Sequence, residues 1–211
     1  ALMARRHFHE YNSNHDDLVN ISVKNHMHGF ENEFAHIRKE VSFEKAASGF
    51  MVADPLTLYD CCPTSDGASC VILAADHVVR EFTDDPIWLK GSGAGSDHLA
   101  LHDRHSITQM SATQKAVAQA YKSSGVSARD IDLAEVHDCF TIAELMATED
   151  LGFANRGEGG LFARQGRGIR NEGDVAINPS GGLKSKGHPL GATGTGQAVE
   201  VFKQLKGTVE S

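Results

Sequence analysis

Glycine is concentrated toward one end of this chain, and that concentration limits the fold more than any other feature. Fourteen of the 21 glycines lie between Gly152 and Gly207. Glycine enters left-handed backbone at no steric cost and lets a second backbone or a ligand approach closely. A stretch so rich in it builds tight turns and close approaches, as a ligand site requires. The densest run, Gly181 to Gly196, follows a short strand pattern, Val175-Ala176-Ile177-Asn178, and leads into a helical pattern over Ala192–Leu205. The same order occurs upstream: Ile131–Val136 alternates with the period of a strand, then come His137-Asp138-Cys139-Phe140 and a helix over Thr141–Leu151, ended by Gly152. Before these, Thr108–Ser123 carries an apolar stripe of Met110, Ala112, Ala116, Val117, Ala120 and Tyr121, with Gly125 as its stop. Helices and strands in alternation predict an α/β fold.

The first fifty residues read as helical and polar, with Leu18, Ile21, Val23 and Met27 loosely spaced and Asp16 and Asp17 placed for a first turn. The pairs His7/His9 and His26/His28 suggest a metal site. On a helix, however, residues two apart face different ways, so solvated or hydrogen-bonded surface histidines are expected. Beyond Met51 the pattern changes to short strands and turns. Pro55 limits the pairing of an extended Val52–Leu58, Ser69–Ala75 has the length and apolarity of a buried strand, and Ile87-Trp88-Leu89 begins another that runs into Gly91–Gly95. His98, His102 and His105 would align on a helix, but Gly95 and Asp103-Arg104 favour a solvated loop.

Composition removes several function classes. With 20 Lys+Arg against 28 Asp+Glu the net charge is −8, which lacks the basic surplus of a nucleic-acid binder. No apolar run approaches the roughly 18 residues of a membrane span. Nucleic acid and membrane partners are therefore not expected. The four cysteines, Cys61, Cys62, Cys70 and Cys139, show no zinc-ligand or disulfide spacing. That pattern predicts no metal site and a reducing, cytoplasmic location.

Two clusters carry chemistry, each at the C-terminal end of an expected strand, where α/β sheets collect ligands. In the first, His137 offers an imidazole and Cys139 a thiol that surroundings can tune as acid or base. The pair is also compatible with a buried thiol beside a surface histidine. The second is Asn178-Pro179-Ser180-Gly181-Gly182-Leu183-Lys184-Ser185-Lys186-Gly187-His188-Pro189-Leu190-Gly191. Here His188 sits between a glycine that permits approach and a proline that stiffens the chain. The glycines of 191–196 miss the spacing of a dinucleotide fingerprint, and no Gly-Lys-Ser/Thr follows as in a phosphate loop.

Together the clusters resemble the thiolase superfamily, and His137-Asp138-Cys139-Phe140 resembles its sterol-carrier-protein and archaeal acetyl-CoA acetyltransferase branch. Lys24-Asn25-His26, Cys61–Ala68 and Asn178–Gly182 agree with it. The resemblance implies a layered αβαβα thiolase-like fold, of which the chain would hold the end of the first half and most of the second. Residues 1–50 would belong to the helical loop domain, 51–80 to the last part of the N-terminal half, and 81–211 to a C-terminal half incomplete at its end. It also implies acyl transfer between coenzyme A thioesters through an acyl-cysteine. His188 would be the base that activates the thiol, His137 an oxyanion-hole donor, and Cys139 the acid/base that moves the α-proton. Phe140 and the Ser180-Gly181-Gly182 turn would border the pantetheine tunnel, with Cys62 beside them. Lys24, Arg38, Lys184 and Lys186 are candidates for the phosphates of coenzyme A.

The nucleophilic cysteine of the family matches none of the four here, so this chain alone is expected to be inactive. A thiolase-like aldolase that cleaves side-chain acyl-CoA, and a non-catalytic thiolase-fold subunit or scaffold, remain as alternatives. Such aldolases tend to place tyrosine where His137 and His188 stand. No cofactor is implied beyond coenzyme A thioesters as substrates. Implied partners are a second copy, as homodimer or tetramer, and in archaeal members hydroxymethylglutaryl-CoA synthase with a zinc-ribbon/OB-fold scaffold. The tail carries no Ser-Lys-Leu peroxisomal address.

Overall fold

Local hydrogen bonding accounts for the elements that form first along the chain. The structure, a computed structural model, describes residues 1–209; Glu210 and Ser211, which end the expected C-terminal half, lie outside the described residues. Helix α1 (Leu2–Tyr11) turns at Asn12 in left-handed backbone. Helix α2 (His15–Glu31) is capped by Asn14, whose side chain accepts from Asp16 N at 2.9 Å while Asp17 Oδ2 accepts from Asn14 N at 2.9 Å. The short α3 (Phe43–Ala47) follows, and then the antiparallel hairpin of β1 (Met51–Ala53) and β2 (Leu56–Thr57), with a cis Asp54–Pro55 bond in its turn.

Helix α2 is the hub. It packs against α3, against α5 (Thr141–Asp150), α6 (Gly159–Arg164) and α7 (Gly182–Ser185), and it buries more than an amphipathic stripe. Leu18 and Ile21 join Ala4, Leu56, Ile142, Leu145 and Met146 in one core, while Val19 meets Val41 and Ala46 in another. Lys24, Asn25, His26 and His28 are buried too. The expectation of surface histidines is therefore corrected for His7, His26 and His28, which lie within the fold. His7 bonds Ser13 Oγ at 2.6 Å and Glu149 Oε1 at 3.1 Å.

The parallel pair of β3 (Leu133–Ala134) and β4 (Ala176–Ile177) makes the second structural theme. Helices α5 and α6 connect the two strands, so the architecture is α/β. Val136, Ala147, Phe162, Val175 and Ile177 form the core beneath them. Because the strands run the same way, the segments that leave them, 135–140 and 178–188, emerge at one edge. Helix α8 (Thr193–Lys206) closes the sequence of elements.

Helix α4 (Ser111–Ser124) packs in a way periodicity alone does not predict. The extended Gly91–Gly95 segment runs along it, with alternate glycines lying over every fourth residue of the helix. A Cβ at Gly91, Gly93 or Gly95 would fall 2.6, 1.9 or 2.2 Å from the carbonyl oxygens of Ala120, Ala116 and Ala112. Gln119 completes the match: its amide accepts from Ala94 N at 3.3 Å and donates to Ala94 O at 2.9 Å, as a neighbouring strand would.

Two strand expectations fail. Ser69–Ala75 forms no ladder, and Ile72 and Leu73 are exposed; Ile87–Leu89 forms none either, and Leu89 is exposed. A strand needs a backbone partner, and none of the described residues supplies one to either segment. His98, His102 and His105 are exposed around a 3-10 turn at Leu101–Asp103, as expected of a loop. Among the described residues no helix is long and apolar enough to cross a membrane.

Candidate active site

His137 and His188 come from the two segments that leave β3 and β4, and their rings meet edge to face with centroids 4.9 Å apart. Cys139 lies two residues beyond His137. The segment 61–65 threads between the two loops and fixes both. Cys61 bridges Phe140 in antiparallel fashion, Cys62 N donates to Cys139 O at 3.0 Å, Thr64 bridges His188, and His188 N donates to Ser65 Oγ at 3.1 Å. His36 Nδ1 also bonds that hydroxyl, at 2.8 Å.

Donor and acceptor accounting assigns the tautomer of His188. Thr193 Oγ lies 3.1 Å from Pro189 O, to which it must donate, and 2.7 Å from His188 Nδ1. A hydroxyl has one proton. Nδ1 therefore carries the imidazole hydrogen, and Nε2 is left with its lone pair. Burial lowers the pKa of His188, and burial with His188 as neighbour lowers that of His137, so both rings favour the neutral form. Cys139 moves the other way. Burial, then the adjacent Cys62, pushes its thiol up to about 11, and burial likewise raises Cys62 and Cys61. A thiol so tuned keeps its proton at neutral pH and is a strong base once it loses it.

Asp138, between the two site residues, faces away from them. Its Oδ1 accepts from Leu183 N at 2.7 Å, and its Oδ2 from Asn25 Nδ2 at 2.9 Å and Lys184 N at 3.3 Å. Full burial, reinforced by Glu144, pushes its pKa up to about 7. Asp138 thus ties the His137 loop to α7. Glu144, which sequence reasoning passed over, ties the same loops to α2. It accepts from Asn25 Nδ2 at 2.7 Å and Asn178 Nδ2 at 2.7 Å, and pairs with Lys24 Nζ at 2.9 Å. The available signal was an acid in a helix whose neighbours, Leu145 and Met146, turn inward.

The residues expected to contact substrate separate into two groups. Phe140 is exposed and lines, with His137 and Cys139, a cavity of about 790 Å³; Cys62 is half-buried beside Cys139. Ser180, Gly181 and Gly182 line neither this cavity nor a second one of about 690 Å³ lined by Gly187 and Thr193. Ser180 is buried, its N and Oγ donating to Glu135 at 3.0 and 2.9 Å. Gly181 has φ +96°, and a Cβ there would fall 2.5 Å from Gly29 Cα, so this turn is shaped by its packing on α2. Two phosphate candidates are also spent inside. Lys24 Nζ donates to Ile177 O at 2.6 Å and Asn25 Oδ1 at 2.5 Å, and Lys184 Nζ donates to Cys61 O at 2.7 Å. Desolvation lowers the Lys184 pKa. Arg38 is exposed, and Lys186 lies 3.6 Å from Glu135.

The chain is similar to several known proteins. The family model described as thiolase C-terminal domain-like matches residues 93–211. An acetyl-CoA acetyltransferase of Methanothermobacter thermautotrophicus is 49% identical over 98% of this chain and 54% of its own length. Sterol carrier protein 2 of Oryctolagus cuniculus is 36% identical over 96% of this chain and 38% of its own. The chain thus spans about half the length, or less, of these curated relatives. Among solved structures, an Ltp2-ChsH2(DUF35) aldolase superposes with a TM-score of 0.89 at 26% identity, covering 99% of this chain and 55% of that one. A monomeric SCP2-thiolase-like protein type 1 from Mycobacterium smegmatis shares the fold, with a TM-score of 0.72 at 16% identity. By its sequence over residues 93–211 and its α/β fold, the chain belongs to the thiolase C-terminal domain-like family.

Proposed function

We propose that this chain carries the proton-transfer and oxyanion side of an acyl-CoA:acetyl-CoA C-acyltransferase that forms or cleaves 3-ketoacyl-CoA. The observation that carries the reading is the contact of His137 and His188 with the His188 Nε2 lone pair unspent. In the proposed cycle Nε2 takes the proton of a thiol supplied by a segment outside these 211 residues. The thiolate attacks the first acyl-CoA and takes its acyl group, and coenzyme A leaves as a thiolate that is protonated by Cys139. His137 donates a hydrogen bond to the thioester oxygen of a second acyl-CoA as Cys139, in its thiolate form, removes the α-proton. The enolate attacks the acyl-cysteine carbonyl; as the carbon–carbon bond forms the carbon–sulfur bond breaks, and the departing thiolate takes back the proton held on His188 Nε2. Donors aimed at developing oxyanions are commonly worth about 10²–10³ in rate. In thiolysis the protonated Cys139 returns the proton to carbon, which its raised pKa suits.

No cofactor enters the scheme: coenzyme A thioesters are substrates, and the setting is cytoplasmic. A segment outside these 211 residues completes the site in this reading, on the same polypeptide or on a distinct partner, and the assembly is a homodimer or tetramer. The test is coenzyme A-dependent loss of acetoacetyl-CoA on the full chain, with two acetyl-CoA formed per substrate and activity lost in His188→Ala. The likeness to an aldolase structure supports a second reading, retro-aldol cleavage of an acyl-CoA. Cleavage that needs no free coenzyme A and releases a ketone or aldehyde would replace the first reading with the second.

A further inference from the structure

The segment that threads between the two histidine loops brings a second thiol to Cys139. Cys61 bridges Phe140 in antiparallel register, so the next rung sets Cys62 directly opposite Cys139, and Cys62 N donates to Cys139 O at 3.0 Å across it. Side chains of directly opposed residues share one face of such a ribbon, and successive ones alternate between faces. The thiols of Cys62 and Cys139 therefore stand on the same face, with Cys61 and Phe140 on the other. Cα atoms of a hydrogen-bonded antiparallel pair lie about 5.5 Å apart, inside the range of about 4.4–6.8 Å that a disulfide spans.

The other cysteines are placed elsewhere. Cys61 Sγ donates to Thr57 O at 3.4 Å, and Cys70 is exposed next to Ser69, whose hydroxyl bonds Ala192 O at 2.9 Å, at the start of α8. Both thiols of the opposed pair are half-buried. Lys184, whose Nζ donates to Cys61 O at 2.7 Å, distinguishes them: its charge offsets part of the burial that raises Cys62, whereas the Cys62 charge raises Cys139 further. Cys62 is thus the first of the two to ionise, and a thiolate is the form that attacks. The rung, its backbone bond and Lys184 all lie among the described residues, so this juxtaposition is independent of whatever lies outside them.

From this geometry we infer that Cys62 and Cys139 form a reversible disulfide when hydrogen peroxide oxidises the protein. The Cys62 thiolate attacks one peroxide oxygen, the O–O bond breaks, and Cys62 becomes a sulfenic acid as hydroxide leaves. The Cys139 sulfur then displaces hydroxide from that sulfur, the S–S bond forms, and the Cys139 proton joins the hydroxide as water. In total two thiols lose two electrons and two protons, and the peroxide takes them up to become two waters. In the acyl-transfer reading above, Cys139 moves the α-proton; the disulfide leaves it neither a proton nor a thiolate, so that step stops until a thiol reductant restores it. This consequence rests on that reading, and the disulfide itself does not.

The test treats the full chain with hydrogen peroxide, digests it with trypsin without reduction and reads the peptides by mass. Trypsin leaves Cys61, Cys62 and Cys70 on one peptide, 46–80, and Cys139 on another, 130–156. The disulfide should appear as these two joined, lighter by two hydrogens and separated by dithiothreitol. Cys62→Ser should lose the joined species, and Cys61→Ser and Cys70→Ser should keep it, with folding checked by circular dichroism. In urea the shorter loop to Cys70 costs less to close, so the wild type should instead form a loop within the first peptide. The inference is overturned if the folded wild type yields no joined species, or yields sulfinic acid or a loop within one peptide in its place. It is equally overturned if folded Cys62→Ser still joins the peptides, or if the joined species forms as well in urea as in the folded chain. Because the readout is mass and not turnover, any of these results leaves the acyl-transfer reading standing.

Discussion

Acid should unlatch α2 from the glycine-rich loop through one residue, His28. Both of its ring nitrogens are committed: Nδ1 donates to Asn178 O at 3.0 Å, and Nε2 accepts from Arg170 N at 3.0 Å. Only the neutral imidazole can do both. Burial, then repulsion from the Lys24 charge, lowers its pKa from 6.5 to about 3. A base depressed on folding contributes stability that is complete above its unfolded pKa and is lost as pH falls toward the folded value. At pH 4.5 the unfolded chain is protonated here and the folded chain is not. Two pH units below 6.5 correspond to roughly 3 kcal/mol lost relative to pH 7. His28→Gln supplies the reference, since glutamine retains an acceptor and does not titrate. Urea unfolding of both proteins at pH 7.0 and 4.5 gives the stability gap at each pH, and titrations common to both cancel. The gap should shift by roughly 3 kcal/mol against the wild type on acidification. A shift below about 0.5 kcal/mol, the usual scatter of such differences, would refute the reasoning.

Three further outcomes follow from other parts of the fold. Gly93→Ala would place a Cβ 1.9 Å from Ala116 O and should lower stability by about 2 kcal/mol or more, whereas Gly194→Ala, in the first turn of α8 with nothing within 4 Å, should raise it by about 0.5–1 kcal/mol; thermal denaturation distinguishes them. Thr193→Val removes the partner that fixes the His188 tautomer and should lower kcat/KM roughly 10- to 100-fold. Thr193→Ser should restore most of it, and the pH–rate profile of the valine variant should change shape. Peptide mapping after brief alkylation should find the exposed Cys70 modified first and Cys139 last, with Cys139 modification rising steadily from pH 7 to 10 because its thiol is pushed up to about 11; equal labelling of the two at pH 7 would contradict the burial argument.

Elements whose hydrogen bonds close locally were legible in the sequence. Helices α4, α5 and α8 lie within a few residues of their expected spans, and Asp16 and Asp17 stand in the first turn of α2. The strand over Ile131–Val136 was legible as a direction of chain, though the ladder is confined to Leu133–Ala134. Ser69–Ala75 was misread because apolarity and length specify what a segment could bury, not whether another backbone is there to pair with it. The site histidines were visible through their glycine and proline neighbours. The residues that hold them were not. Glu144, Asn25 and Lys24 read as ordinary helix residues, and only the three-dimensional arrangement shows them bonded across 119 positions in the case of Asn25–Glu144 and 153 in that of Lys24–Ile177. Likewise, nothing in the spacing of His26 and His28 distinguished buried rings from solvated ones.

The convergence on Glu144 has a kinetic consequence. Its donors arrive from α2 and from the segment after β4, so the carboxylate is satisfied only when chain regions more than a hundred residues apart have already met. Closing such loops costs entropy before any bond repays it. The helices can therefore form early, while the two histidine loops gain their order together in a late, cooperative step. Backbone amides of Val136, Leu183 and Asn178, which donate to Asn178 Oδ1, Asp138 Oδ1 and Ala134 O, should exchange with solvent as one protected unit.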